Sequence, residues 1–154
     1  MSFHFELQGL LRVRRLLEQQ ARKQLEESMM RVRHLERSLS EAIQWHQRTS
    51  SLRTGSAPLP AAELQFLESV LHQTQQAISQ CERNKQAEEL RASQLRTAYL
   101  QARRERKTVS TLRSAALLRF ETEQSRREQS SLDEMFLGKL IRSRNTETPP
   151  QQDS

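Results

Sequence analysis

Along the first third of the chain, apolar residues return at steps of mostly three and four: Leu7, Leu10, Val13, Leu17, Ala21, Leu25, Met29, Val32, Leu35, Leu39, Ile43 and Trp45. Such spacing marks one face of a helix, because a strand would alternate every second residue. It predicts a first helix over about 5–51. From Leu17 to Met29 every step is four, a drift against a strict heptad that implies a local change of supercoil.

The second arm holds one register for longer. Counting from Leu64, one heptad series runs Leu64, Leu71, Ile78, Lys85, Ala92, Tyr99, Arg106, Arg113 and Phe120. Its companion runs Leu67, Thr74, Cys81, Glu88, Leu95, Ala102, Val109, Ala116 and Glu123. A mostly apolar series this long, free of Gly and Pro, predicts a continuous coiled-coil helix over about 60–144. Lys85, Glu88, Arg106 and Arg113 break the apolar pattern and leave thin places in the seam that set its register.

Between the arms, Thr49–Pro60 gathers Gly55, Pro58 and Pro60. Gly55 suits the left-handed conformation that stops a helix, the prolines extend Ala57 and Leu59, and Pro60 suits the first turn of a new helix. The expected turn is about 52–59. The expected fold is all-α: a long antiparallel two-helix coiled coil, or helical hairpin, forming one domain over 1–144 with the second helix overhanging.

At 1.5 Å per residue the second helix would span about 125 Å and the first about 70 Å. Folding about Ser56 would bring Phe5 level with Arg106 and leave Thr108–Arg144 uncovered. That overhang carries two apolar clusters, Leu112–Phe120 and Leu132–Ile141. Apolar residues on an isolated helix need something to cover them, so a partner is expected there. The tail 145–154, polar and with Pro149 and Pro150, reads as disordered.

Composition agrees with a seam rather than a thick core, since only 34% of residues are hydrophobic and 29% are charged. The formal charge of +6 is concentrated. Ten basic and six acidic residues in 1–53 give +4, four and five in 54–102 give −1, and eleven and six in 103–144 give +5. Folding back would turn the two basic ends into one. Cys81 is the lone cysteine, and the opening residues lack the charged and apolar regions of a signal peptide. No apolar run approaches the roughly 20 residues that span a bilayer. The expected location is cytoplasmic.

Little in the chain suggests catalysis. With three glycines there is no Gly-rich phosphate cradle, and His4, His34, His46 and His72 lack metal-ligand spacing, although His46 and His72 could meet across the hairpin. Cys81 on a core position reads as a small buried hydrophobe, and Tyr99 reads as core. Trp45 fits either packing or partner contact. The run Arg103-Arg104-Glu105-Arg106-Lys107, with Arg12–Arg15, fits a solvated helix face, an acidic protein surface or a channel mouth. Without interleaved aromatic residues, nucleic acid is not the expected target. No enzyme activity, cofactor or metal is expected. A basic nucleic-acid-binding coil and a homodimeric scaffold stand as alternatives to an adaptor.

Two short motifs carry a family resemblance. Phe3-His4-Phe5-Glu6-Leu7-Gln8-Gly9-Leu10-Leu11-Arg12-Val13-Arg14 is similar to the opening Phe-x-Phe-x-Leu-x-x-Leu-Leu-x-x-Arg of the flagellar export protein FliJ family. Arg126-Arg127-Glu128-Gln129-Ser130-Ser131-Leu132-Asp133-Glu134 resembles the family's closing Arg-x-Glu-Gln-x-x-Leu-Asp-Glu, and the basic run at 103–107 resembles its basic knot. Gly138 departs from the family pattern by interrupting the final helix. The resemblance implies a non-enzymatic central stalk of the type III export apparatus, peripheral at the cytoplasmic face of the inner membrane. Its implied partners are the hexameric export ATPase, the cytoplasmic region of the export gate protein and substrate-specific export chaperones. It places Phe3, Phe5, Leu7, Leu10, Arg127, Gln129, Leu132, Asp133 and Glu134 towards the ATPase ring. Trp45, Val70 and Ala77, near the hairpin tip, would face the gate.

Overall fold

The computed structural model describes residues 2–55 and 57–147; of the tail 145–154 expected to be disordered, Asn145 and Thr146 instead close helix α2, and 148–154 lie outside the described residues. Helix α1 is Gln8–Arg53 and helix α2 is Ala61–Thr146, and the described residues contain no strand. The chain is an all-α helical hairpin. It divides into two compact units: Val13–Arg106, which holds the turn, and the described residues of Met1–Arg12 with Lys107–Ser154. Gly138 does not interrupt α2, which continues to Thr146.

In the hairpin unit α2 keeps the register read from its heptads: each core position from Leu64 to Arg106 is buried or half-buried. The register of α1 differs from the apolar stripe. Its covered positions include Arg14, Glu18, Ala21, Leu25, Ser28, Val32, Leu35, Leu39, Ala42, His46 and Thr49, at regular steps of four and three, with Ser38 and Ser50 half-buried beside them. No drift occurs between Leu17 and Met29. Those two residues are exposed, as are Val13, Ile43 and Trp45. The heptad is strict because it admits polar residues, and a stripe counted on apolar residues alone slips to the flank.

Most polar residues in the α1 seam have a partner in α2; buried Thr49 instead donates to the Trp45 carbonyl of its own helix at 2.9 Å. Arg106 makes a two-pronged pair with Glu18, at 2.6 and 3.2 Å. Arg14 pairs with Glu105. Ser28, wholly buried at 0% exposure, donates from Oγ to Glu88 Oε1 at 2.7 Å, and Arg31 Nε donates to the same oxygen at 2.9 Å. Lys85 lies between Glu36 and Glu89. Thr74 Oγ1 bonds to the carbonyls of its own preceding turn, which leaves its oxygen to accept from His46 Nδ1 at 2.9 Å. His72 instead faces Gln76, so the two histidines have separate partners. Cys81 is half-buried with its Sγ 3.6 Å from the Leu35 carbonyl. The expected thin places at Lys85, Glu88 and Arg106 are thus polar cross-links, while Arg113 lies in the other unit, over the Phe3 ring. Buried polar atoms are tolerated only when paired, so each link matches one residue of α1 to one of α2 and fixes register.

Because Ser28 meets Glu88 and His46 meets Thr74, the fold is centred nearer Pro60 than Ser56. No described residue, Gly55 included, has a positive φ. Helix α1 instead ends in side-chain bonds from Ser51 and Thr54 to the carbonyls of Arg48 and Ser51. A Cβ at Gly55 would sit 3.5 Å from the Leu52 carbonyl, an ordinary contact. Gly55→Ala should therefore shift stability by no more than about 0.5 kcal/mol in thermal melts. Helix α2 begins when the Pro60 carbonyl accepts from the Leu64 amide at 3.1 Å, with Glu63 in the first turn, where the helix dipole favours negative charge.

In the second unit, residues 2–7 precede the helix and form a strap instead of its first turn. Helix α1 starts at Gln8, whose amide donates to the Phe5 carbonyl at 3.0 Å. Glu6 and Leu7 form the turn into the helix and residues 2–5 have no regular structure, so the strap is not bound to the helical rise. Phe3 accordingly packs on Phe120, with ring centroids 5.6 Å apart and planes tilted by 56°. Val109 is buried, and Leu117 and Phe120 are half-buried. The uncovered part of α2 therefore begins beyond Phe120, and not at Thr108.

Candidate functional site

Within the strap unit, Phe3 and Phe5 are half-buried and Leu7 and Leu10 are exposed. The strap and α2 line a groove of about 450 Å³ made by Phe3, His4, Phe5, Glu6, Leu7, Leu112, Ala116 and Phe120. The Arg113 guanidinium stands over the Phe3 ring at 6.0 Å, a cation–π arrangement that holds the strap down. Most of each phenylalanine is thus committed to the fold. The remainder is an amphipathic groove wall suited to an apolar side chain of a partner.

Arg127, Gln129, Leu132, Asp133 and Glu134 all lie on the exposed stretch of α2. They begin seven residues past Phe120, about 10 Å of helix, so they form a second location on α2 beyond the strap. Gln129, Leu132 and Asp133 share one face at i, i+3 and i+4. Arg127 and Glu134 sit seven apart on the other side, where Arg127 Nε bonds Glu123 at 3.1 Å. Met135, Phe136, Leu137, Leu140 and Ile141 add exposed apolar surface that the closing motif did not include.

In the hairpin unit, Trp45, Val70 and Ala77 each immediately precede a seam residue, His46, Leu71 and Ile78. In an antiparallel pair these preceding positions of both helices edge the same side of the seam. The three residues therefore share one flank, with Trp45 55% exposed. Packing alone does not account for that tryptophan. Leu52, seven residues on, and Phe66 are also exposed near the turn. The signal for Leu52 was its heptad distance from Trp45, hidden by the polar residues between them.

Charge in the seam tunes two carboxyls. The hydrogen bond from Arg106, helped by Arg103 and Arg22 nearby, holds Glu18 below the usual glutamate range. Hydrogen bonds from Ser28 and then Arg31 do the same for Glu88. Both groups bind protons less readily in the fold than in the unfolded chain, so their contribution is complete above the ordinary glutamate value of about 4.3. It is lost as pH falls through the lowered values. Helicity should therefore decline below about pH 4.3, and Glu88→Gln should flatten that decline in circular dichroism. A decline equally steep in the variant would show that the Glu88 link does not contribute to it.

The described residues hold no group of three or more His, Cys, Asp or Glu placed to bind a metal, and no helix long and apolar enough to cross a membrane. Neither the curated proteins nor the solved structures compared with the chain give a match. Residues 3–145 match the family model described as flagellar FliJ protein. The match takes in the strap, both helices and the turn between them, so the chain belongs to the flagellar FliJ protein family, a component family of the flagellar export apparatus.

Proposed function

We propose that the protein is a non-enzymatic stalk and adaptor of flagellar export, which inserts into the hexameric export ATPase and regulates it. On this reading it works at the cytoplasmic face of the membrane and links the ATPase to the export gate and to substrate chaperones. The observation that carries the proposal is the family match across residues 3–145, which includes both motif-bearing ends. The exposed apolar stretch of α2 beyond Phe120 supports it, because that surface has no cover within its unit. The ring-facing groups are then Leu7, Leu10, Gln129, Leu132 and Asp133, with Phe3 and Phe5 acting partly by fixing the strap. The flank bearing Trp45, Val70 and Ala77 is assigned to the gate.

The chain carries an excess of positive charge, and a basic surface also attracts nucleic acid. Salt separates the two readings. Binding through phosphates falls steeply with ionic strength, whereas a protein interface with apolar anchors persists. Co-sedimentation with the purified hexameric ATPase at physiological ionic strength should retain the chain. Loss of the complex there, with nucleic acid retained at low salt, would overturn the proposal.

A further inference from the structure

The far part of α2 carries a second stripe in a different register from the seam. Leu118, Thr122, Ser125, Gln129, Leu132 and Phe136 recur at steps of four and three, continue through Lys139 to Ser143, and are all exposed. Leu118 is two residues, about 200° of rotation, from both Ala116 and Phe120, so the stripe faces away from the strap. This stretch is dense in charge, yet none falls on the stripe before Lys139. An exposed helix face ordinarily collects charge. A heptad stripe free of charge from Leu118 to Phe136, with Phe136 66% exposed, is the pattern of a coiled-coil seam without its second helix.

We propose that this stripe pairs with the same stripe of a second copy, antiparallel, with Gln129 beside Leu132 of the second copy. Both size and charge select that arrangement. Phe136 then faces Ser125, Leu118 faces Ser143 and Leu132 faces Gln129, a larger side chain against a smaller or polar one in each layer. Thr122 faces Lys139, whose stem lies along the seam while its ammonium reaches water. On the flanks Arg126 meets Asp133 and Glu121 meets Arg142, while Glu128 and Arg119 meet Met135 and Leu140. No like charges are opposed. A parallel pair sets Phe136 against Phe136 and Glu128 opposite Asp133 twice. Sliding the antiparallel register by one heptad opposes Arg126 or Asp133 to itself. Thr122, Ser125 and Gln129 keep the seam weak, so the pairing is reversible and depends on concentration. Gln129, Leu132 and Asp133 also belong to the surface assigned to the ATPase ring, so a paired copy is withheld from the ring. The inference concerns the chain alone and does not rest on that assignment.

Sedimentation velocity of the full chain at rising concentration should show a monomer–dimer equilibrium. Arg126→Glu and Asp133→Arg should each weaken it by about tenfold, since each reverses a pair that occurs twice, and the two together should restore it. In a Cys81→Ser background, Thr122→Cys and Lys139→Cys chains should cross-link on oxidation only when mixed. Three results would overturn the proposal: a monomer at every concentration, Thr122→Cys chains cross-linking with themselves, or a combined reversal that leaves the dimer weak.

Discussion

Leu11→Ala is expected to destabilise the protein by about 2–3 kcal/mol, while Val13→Ala, two residues away, costs under about 0.5 kcal/mol. Leu11 is completely covered at 0% exposure, whereas Val13 is 51% exposed. Truncating a buried leucine removes its transfer free energy and leaves a cavity. A two-helix seam is narrow and open at its edges, so the neighbours collapse partly into the gap and the cost falls at the lower end of the usual range. Thermal or urea melts of the two variants would check the register of α1 directly. Equal losses would mean that α1 is rotated towards the stripe of Leu10 and Val13.

That contrast shows what the apolar pattern made legible and what it hid. For α2 the pattern was enough, because Leu64, Leu71 and Ile78 anchor a phase that the polar exceptions do not shift. For α1 it found the seam at Ala21, Leu25, Val32, Leu35 and Leu39 and slipped to the flank elsewhere. Arg14, Glu18, Ser28 and His46 occupy core positions, and their fitness for the seam depends on Glu105, Arg106, Glu88 and Thr74 of the other helix. A polar residue on one helix cannot announce a partner many residues away, so hydrophobic counting drifts to the neighbouring leucines and methionines. The strap was hidden for a related reason. Phe3 and Phe5 alternate as in an extended segment, but two residues are too few to separate that spacing from the helical stripe that follows. The Phe3–Phe120 contact then moved the start of the uncovered helix. Of the candidate surface, the two motif-bearing ends were readable, whereas the apolar continuation through Phe136 and Leu140 was seen only as a need for cover.

A chain ending at Ser125 is expected to lose at least about thirtyfold in affinity for the export ATPase, the equivalent of one hot-spot side chain worth about 2 kcal/mol. Interfaces concentrate their energy in a few large apolar or arginine side chains, and the deleted segment holds Leu132, Met135, Phe136 and Leu140, all exposed. Residues past Ser125 are exposed almost throughout, so the truncated chain should keep its fold and melt at nearly the same temperature. Trp45→Ala removes one exposed side chain from the flank assigned to the gate and should leave ATPase binding within about threefold.

The most direct test is the turnover of the purified hexameric export ATPase, titrated with the full chain, the chain ending at Ser125 and the Trp45→Ala variant. Stimulation by the full chain and by Trp45→Ala, with little or none from the truncated chain, is the predicted result. Equal loss of stimulation in both variants, or full stimulation by the truncated chain, would contradict the assignment of the α2 end to the ATPase ring.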